Sequence, residues 1–513
     1  MNGIGPSGMG RDRAAAGERR RAGRTGSPVA RRATALAAAL FAAGTLAGCA
    51  PVFGGYDLAP NGLPRAEADL RRELARQPGA TYEQVVEGER ELPDDDLLRL
   101  LYAGTVGRYS EHSREAAQFL DVAGYVADDR VTLSVSRQAL SFITSDRALV
   151  YTPSRTERLM IPYTSAVAFL EAGAIGDAVV EARRIEALLD RFDDDVPRAE
   201  IPASSRFLHA FAATIFDAAG EDNAAAVAWR RAGFRAGSTP DPAVPEAFAA
   251  LPEDSLGEVV VLVERGFVPH RVEQSVVIAI PPFHLEALTR GGPGEKAVAA
   301  TAAAGQVLLT AAAYYGHRGP YYTDHGYRRT MHLRPWSDAC GGWNAPDWCD
   351  DDPDPYFLRV SWPVLYHDPV PDGPVRVRAG TASVSADRRL DVSAGVRADF
   401  NDARAAIVAR TIFRAAAKVV LSESAEHAVG ERDETAGRIV GLLVNLGTLL
   451  TERADTRSWH LLPGSVSMAR LRLPPGTHPL AVEGAGILGR DVDLEPVEVR
   501  AGRTTFVARR IWR

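Results

Sequence analysis

Between residues 65 and 236 apolar positions recur with a period near 3.6 and β-branched runs are few, so the pattern predicts amphipathic helices. Three helix pairs stand out. The first carries Leu100 and Gly104, then Ala116, Leu120 and Ala123. The last turns at Gly220-Glu221-Asp222-Asn223 and continues through Ala225, Trp229 and Ala232. Small residues at these spacings let antiparallel helices approach closely, and the bulky residue that follows fills the gap to the next pair, as in a tetratricopeptide repeat. The middle pair, 163–189, is looser, with Gly176-Asp177-Ala178 at its turn and Val179-Val180-Glu181-Ala182-Arg183-Arg184-Ile185 on its second helix. A generic helical bundle satisfies the same periodicity.

A Pro/Gly-rich stretch at 236–257 marks a boundary, and the pattern then changes. The β-branched runs 258–263 and 276–280, bounded by Gly257, Gly266 and Pro281-Pro282, read as strands. An Ala-rich helix is expected at 297–315, then an aromatic, Gly/Pro-rich excursion at 316–356, strands near 357–366 and 375–385, and helices at 402–422 and 435–450. At the end, 466–473 and 479–482 read as a hairpin across Pro474-Pro475-Gly476, joined by 497–499 and 504–508 into a compact β segment. The expected class is α+β: a tetratricopeptide-like helical repeat at 65–236 and a mixed domain at 257–513 with a small terminal β segment.

The N-terminal region carries a different pattern. Arg31-Arg32 precede an Ala/Leu-rich segment, 33–47, that closes on Leu46-Ala47-Gly48-Cys49. A basic region, an apolar run too short to span a bilayer and small residues before a cysteine read as a bacterial lipoprotein signal, residues 1–48, with Cys49 as the lipidated residue. Residues 49–64 read as a flexible tether. Each buried methylene of an acyl chain contributes about 0.8 kcal/mol, so two or more chains give stable anchoring. The twelve-residue apolar run 439–450 reaches only about 18 Å as a helix against ~30 Å of hydrocarbon, so it reads as a core helix. In the lipoprotein sorting system of many Gram-negative bacteria an aspartate after the cysteine retains a protein at the inner membrane. Ala50 stands there instead, and the resemblance implies the periplasmic face of the outer membrane.

Charge and motifs narrow the function. The chain carries −7, and residues 1–48 hold eight arginines against Asp12 and Glu18, so the remainder sits near −13 and is an unlikely match for nucleic acid. In an exported chain Cys340 and Cys349, eight residues between them, read as one disulfide. No Gly-x-Ser-x-Gly elbow or phosphate loop occurs, and Gly291-Gly292-Pro293-Gly294-Glu295-Lys296 reads as a turn. His317, His325 and His332, with Asp324 and Asp338, lack metal-ligand spacing. The acidic run 350–354 lacks the glycine and bidentate glutamate of a calcium loop. No catalytic residue, metal or cofactor is therefore expected. Arg410, Arg414 and Lys418 form a basic stripe at helical spacing, read as a solvated face or as a contact for an anionic partner.

The lipobox, the segment 163–189, the strand Gly257-Glu258-Val259-Val260-Val261 and the motif Asp455-Thr456-Arg457-Ser458-Trp459 with Leu462-Pro463 resemble a group of uncharacterised bacterial lipoproteins with tetratricopeptide-like helices. The likeness covers about 97–507, and the excursion 316–356 departs from it. The resemblance implies architecture and location and carries no activity. Arg457 beside Trp459 suits either a tie between the terminal β segment and the helices or a ligand contact, since a planar guanidinium offers five donors. The expected role is a scaffold or assembly factor that binds the bilayer through acylated Cys49 and envelope proteins through its helical repeat. The alternative is a cell-wall glycan binder or enzyme using the aromatics of 314–348, Tyr314, Tyr315, Tyr321, Tyr322, Tyr327, Trp336, Trp343 and Trp348, because aromatic faces stack on sugars.

Overall fold

Five successive apolar residues, 259–263, show no polar alternation, and the computed structural model explains why: the strand they form is covered on both faces. The structure describes residues 61–137, 150–193, 202–235, 241–280, 356–368, 373–430, 453–485 and 489–512, apart from 381 and 387, together with Ala59 and the pieces 321–322 and 330–332. Residues 56–513 cluster as one unit.

Eight α-helices precede the first strand among the described residues: α1 (Arg65–Leu74), α2 (Pro78–Val86), α3 (Asp96–Tyr109), α4 (Ser113–Arg137), α5 (Arg155–Glu171), α6 (Ile175–Asp193), α7 (Ala203–Ala219) and α8 (Asp222–Arg231). From α3 to α8 each helix packs on the next in chain order, giving the hairpins α3/α4, α5/α6 and α7/α8. At Gly104 an added Cβ would lie 2.6 Å from Leu120 Cγ and 3.2 Å from the Ala116 carbonyl, so only glycine permits the observed α3–α4 approach. Sequence reading placed that pairing correctly. α3, α5 and α7 are buried on nearly all sides, whereas α4, α6 and α8 each keep an exposed stripe.

What covers the inner helices is the chain's own sheet. Strand β1 (Gly257–Arg265) is followed by β2 (His270–Ile280), β3 (Tyr321–Tyr322), β4 (Thr330–His332), β5 (Tyr356–Tyr366), β6 (Arg376–Ala379), β7 (Ala382–Ser385) and β8 (Arg388–Asp391). The long helix α9 (Val392–Gly430) comes next. Then follow β9 (Ser465–Leu473), β10 (Gly476–His478), β11 (Leu480–Val482), β12 (Val492–Asp493), β13 (Val497–Val499) and β14 (Thr504–Ile511). The central sheet runs β14-β1-β9-β8, with β1 parallel to β14 and antiparallel to β9. On one face Val260, Leu262, Val466 and Met468 join the helices in a continuous core with Leu101, Tyr163 and Phe211. On the other, Val259, Val261, Val263, Leu471 and Leu473 pack with Val377, Leu480 and Val482 of a second sheet, β12-β11-β6-β7. A third sheet, β3-β5-β2-β4, carries α9 against β5 through Leu365, Phe400 and Ile407.

The class is therefore α+β, and the strands expected at 258–263, 276–280, 357–366 and 375–385 are present, the last as the hairpin β6–β7. Two expectations need correction. Segments 466–473 and 479–482 do not pair with each other: β9 pairs with β1 and β8, and β11 pairs with β6 and β12. Burial on both faces draws β9 into the centre of a sheet, which a local hairpin would not supply. The helix expected at 402–422 begins ten residues earlier, where the Asp391 carboxylate accepts the Ala394 amide at 2.8 Å and caps the first turn. The helices expected at 297–315 and 435–450 lie outside the described residues.

Candidate functional site

The Asp455–Trp459 motif lies in a segment, 453–464, that closes the seam between the helices and the central sheet. Asp455 holds Arg457 in a local fork, accepting from its Nε at 2.8 Å and its Nη2 at 3.0 Å. Arg457 Nη1 also reaches Asp95 at 3.7 Å. Asp95 caps α3 through the Leu97 and Leu98 amides at 3.0 and 3.2 Å and accepts from Arg130 at 2.7 Å. Trp459 is buried. Its backbone amide donates to Glu157 at 2.8 Å and its indole N–H to the Thr105 hydroxyl at 2.9 Å. Glu157 is also the third residue of the α5 capping box, where its other oxygen accepts the Ser154 amide at 2.8 Å. Arg457 and Trp459 are thus brought together as a tie between the C-terminal chain and the ends of α3 and α5.

Next in sequence, His460 meets α1. Arg71 Nε donates to His460 Nδ1 at 2.9 Å, and Arg71 Nη2 donates to the His460 carbonyl at 2.6 Å. A guanidinium nitrogen can only donate, so Nδ1 must be the acceptor and the proton sits on Nε2. That Nε2–H faces Glu67 at 2.6 Å. Tyr102 lies 3.5 Å from the same carboxylate oxygen and donates to the Ser458 carbonyl at 3.2 Å. Burial and the neighbouring Arg71 cation hold the His460 imidazole well below the usual range. Burial raises the Glu67 carboxyl to about 7 against the opposing pull of Arg71. It also lowers Arg71 to about 10, although Asp368 lies 3.1 Å from it. His270, fully buried on β2, places Nε2 3.1 Å from the Asn61 carbonyl, and its ring centre is 6.2 Å from that of His460.

A second buried polar group sits where α3 and α5 cross β1. Arg108 pairs with Glu264, which also accepts the Tyr163 hydroxyl at 3.1 Å. Burial alone would lower Arg108, but the Glu264 carboxylate outweighs it and holds the cation firmly charged. Arg510 bonds the Gly266 carbonyl, and its guanidinium stands over Tyr109, Phe267 and Trp512 at 5.2, 4.9 and 4.9 Å.

These clusters are built for cohesion. His460 is committed on both ring nitrogens, and each Glu157 oxygen holds a backbone amide. The adjoining cleft, lined by Ser154, Glu157, Arg271, Asp399, Phe400 and Trp459, has a volume of about 20 Å³, room for one or two waters. Among the described residues no group of three His, Cys, Asp or Glu side chains is placed to hold a metal ion, and no helix is long and apolar enough to cross a membrane.

Cys49, Cys340 and Cys349 lie outside the described residues, as do His317, His325, Asp324, Asp338 and the aromatics Tyr314, Tyr315, Tyr327, Trp336, Trp343 and Trp348. Tyr321 and Tyr322 form β3, and His332 ends β4. Arg410, Arg414 and Lys418 fall on α9. Sequence reading missed Glu67, Arg71, Arg108, Glu264, His270 and His460. One signal was present: Glu67 and Arg71 occupy the apolar face of α1 beside Leu70 and Leu74, where a charged residue must find a buried partner.

Set against protein-family models, curated proteins and solved structures, the chain has no match in any of the three.

Proposed function

We propose that this protein is a non-catalytic scaffold or assembly factor of the bacterial envelope, anchored by acylated Cys49 to the periplasmic face of the outer membrane. Its tetratricopeptide-like hairpins meet a partner protein with their outer helices. The observation that carries this reading is the division of labour among the helices. α3, α5 and α7 spend their surfaces on the chain's own sheet, while Val122 and Tyr125 of α4, Val180 of α6 and Val227 of α8 stand 49, 63, 46 and 39 % exposed. Exposed apolar side chains on the second helix of each hairpin offer a surface of the kind a protein partner covers. Its polar frame is held in place: Arg184 bridges α6 to α4 through Asp121 at 2.6 Å and the Tyr125 hydroxyl at 2.9 Å, and Arg231 joins α8 to Glu186 of α6 at 2.7 Å. A pre-ordered surface lowers the entropy cost of association.

The test is photo-crosslinking in cells from positions 122, 125 and 180, with positions 165 and 212 on the buried α5 and α7 as controls. The reading expects one defined envelope protein joined from the outer positions and lost on Tyr125→Glu. Equal, diffuse labelling from all positions would contradict it. Incorporation of an alkyne fatty acid into the wild type and not into Cys49→Ser tests the anchor, and persistent labelling of the variant would remove it.

A further inference from the structure

Two of the polar points that fasten segment 61–74 to the rest of the molecule are buried histidines, beside the Arg71–Asp368 and Glu73–Arg90 ion pairs and the Tyr102–Glu67 contact. His270 faces the Asn61 carbonyl with Nε2, and its Nδ1 has no hydrogen-bond partner. His460 accepts from Arg71 and faces Glu67. Between them Leu63, Leu70 and Leu74 supply the apolar contact. We propose that segment 61–74 is an acid-released strap, held closed by the neutral forms of His270 and His460 and let go when these rings take up protons.

The geometry forbids a charged His460 in the closed state. A proton on Nδ1 would point at the Arg71 Nε–H, replacing a hydrogen bond with two facing donors and two like charges. His270 is fully buried with His460 and Arg71 as neighbours, so its cation is opposed by both. The charged and titratable groups around the pair are Glu67 and Arg71 from α1, Tyr102 from α3, Tyr366 of β5 with its ring 5.2 Å from that of His270, and His367 and Asp368 after β5, with Arg510 of β14 beside Arg71. Glu67 and Asp368 are the anions of this set. The first proton taken up goes to Glu67, which removes one counter-charge of Arg71 and leaves the nearer one, Asp368, at 3.1 Å.

The proton count sets the steepness. Both histidines have depressed values in the closed state, so their contribution to closure is complete above about 6.5 and is lost as pH falls below it. Glu67 works in the opposite sense. Raised from 4.5 to about 7, it favours closure below 4.5 and loses that contribution as pH rises through 7. Between pH 6.5 and 4.5 the open strap therefore binds about one net proton more than the closed one, and the open-to-closed ratio rises about tenfold per pH unit.

Hydrogen exchange on the full chain tests this. After division by intrinsic amide rates, protection of the α1 amides should fall about 15-fold from pH 6.5 to 5.0, while that of α7 changes far less. Replacing His460 by Asn, whose Oδ1 still accepts from Arg71, and His270 by Gln, whose amide still reaches Asn61, should abolish or invert the fall. Parallel change in α1 and α7, or a retained fall in the double variant, would overturn the strap. Nitrogen-15 shifts of the wild-type histidines give a reading that needs no variant. Nε2–H tautomers that do not titrate near 6.5 are expected, and ordinary titration of both rings at that pH would overturn the proposal.

Discussion

Trp459 donates its indole N–H to the hydroxyl of Thr105 at 2.9 Å, joining residues 354 positions apart in the chain. Thr105 in turn donates to the Leu101 carbonyl at 2.6 Å, so the indole ends on a helix that is itself fully bonded. One side chain thereby links the segment before β9 to the middle of α3, and its amide adds α5 through Glu157.

Trp459→Phe removes one buried hydrogen bond and should cost about 1 kcal/mol, whereas Trp459→Ala adds a cavity and should cost about 3–5 kcal/mol. Urea unfolding followed by far-UV circular dichroism separates the two. An alanine variant within 0.5 kcal/mol of wild type, an arbitrary floor of about the size of a surface substitution, would show that the tie does little.

Glu264 is the carboxylate paired with Arg108 in the buried seam. Glu264→Gln leaves a buried guanidinium without its counter-charge and should cost about 3–5 kcal/mol, more than the double change Arg108→Met with Glu264→Leu, which removes both charges together. Equal losses in the single and double variants, measured by the same unfolding curves, would contradict the pairing as the source of the cost.

Two glycines give opposite expectations. Gly104→Ala forces a methyl to within 2.6 Å of Leu120 and should cost about 1–3 kcal/mol by separating α3 from α4. Gly176→Ala, in the first turn of α6 with nothing within 4 Å, should gain up to about 1 kcal/mol from helix propensity and a less flexible unfolded chain. Melting temperatures that move in the same direction for both would count against the close α3–α4 approach.

The helices and β1 were legible because their signals are local. The 3.6 period between 97 and 231, Gly104 against Ala116 and Leu120, and the unbroken run 259–263 each report an environment that the neighbouring residues define. The pairing of β9 was not legible, since Pro474-Pro475-Gly476 carries a turn signal whichever strand β9 joins, and β1 lies two hundred residues earlier. The Arg457–Trp459 motif was visible as an arginine beside an aromatic, but its partners Asp95, Thr105 and Glu157 lie far away in the chain and carry no local signal. Glu67, Arg71 and His460 form one cluster from opposite ends of the chain, which no spacing rule connects.

The inner faces of α3, α5 and α7 are completed by the chain's own sheet, which leaves α4, α6 and α8 as the exposed faces of the hairpins. Thermal and urea unfolding of a fragment ending at residue 235 tests this most directly. Without Val260, Leu262, Trp459 and Met468 the inner face would be bare, so the fragment should lack a cooperative transition and bind a hydrophobic dye, as expanded states with exposed cores do. A fragment that melts cooperatively with the stability of the full chain would contradict the claim, because the inner face would then be free to serve as a binding surface.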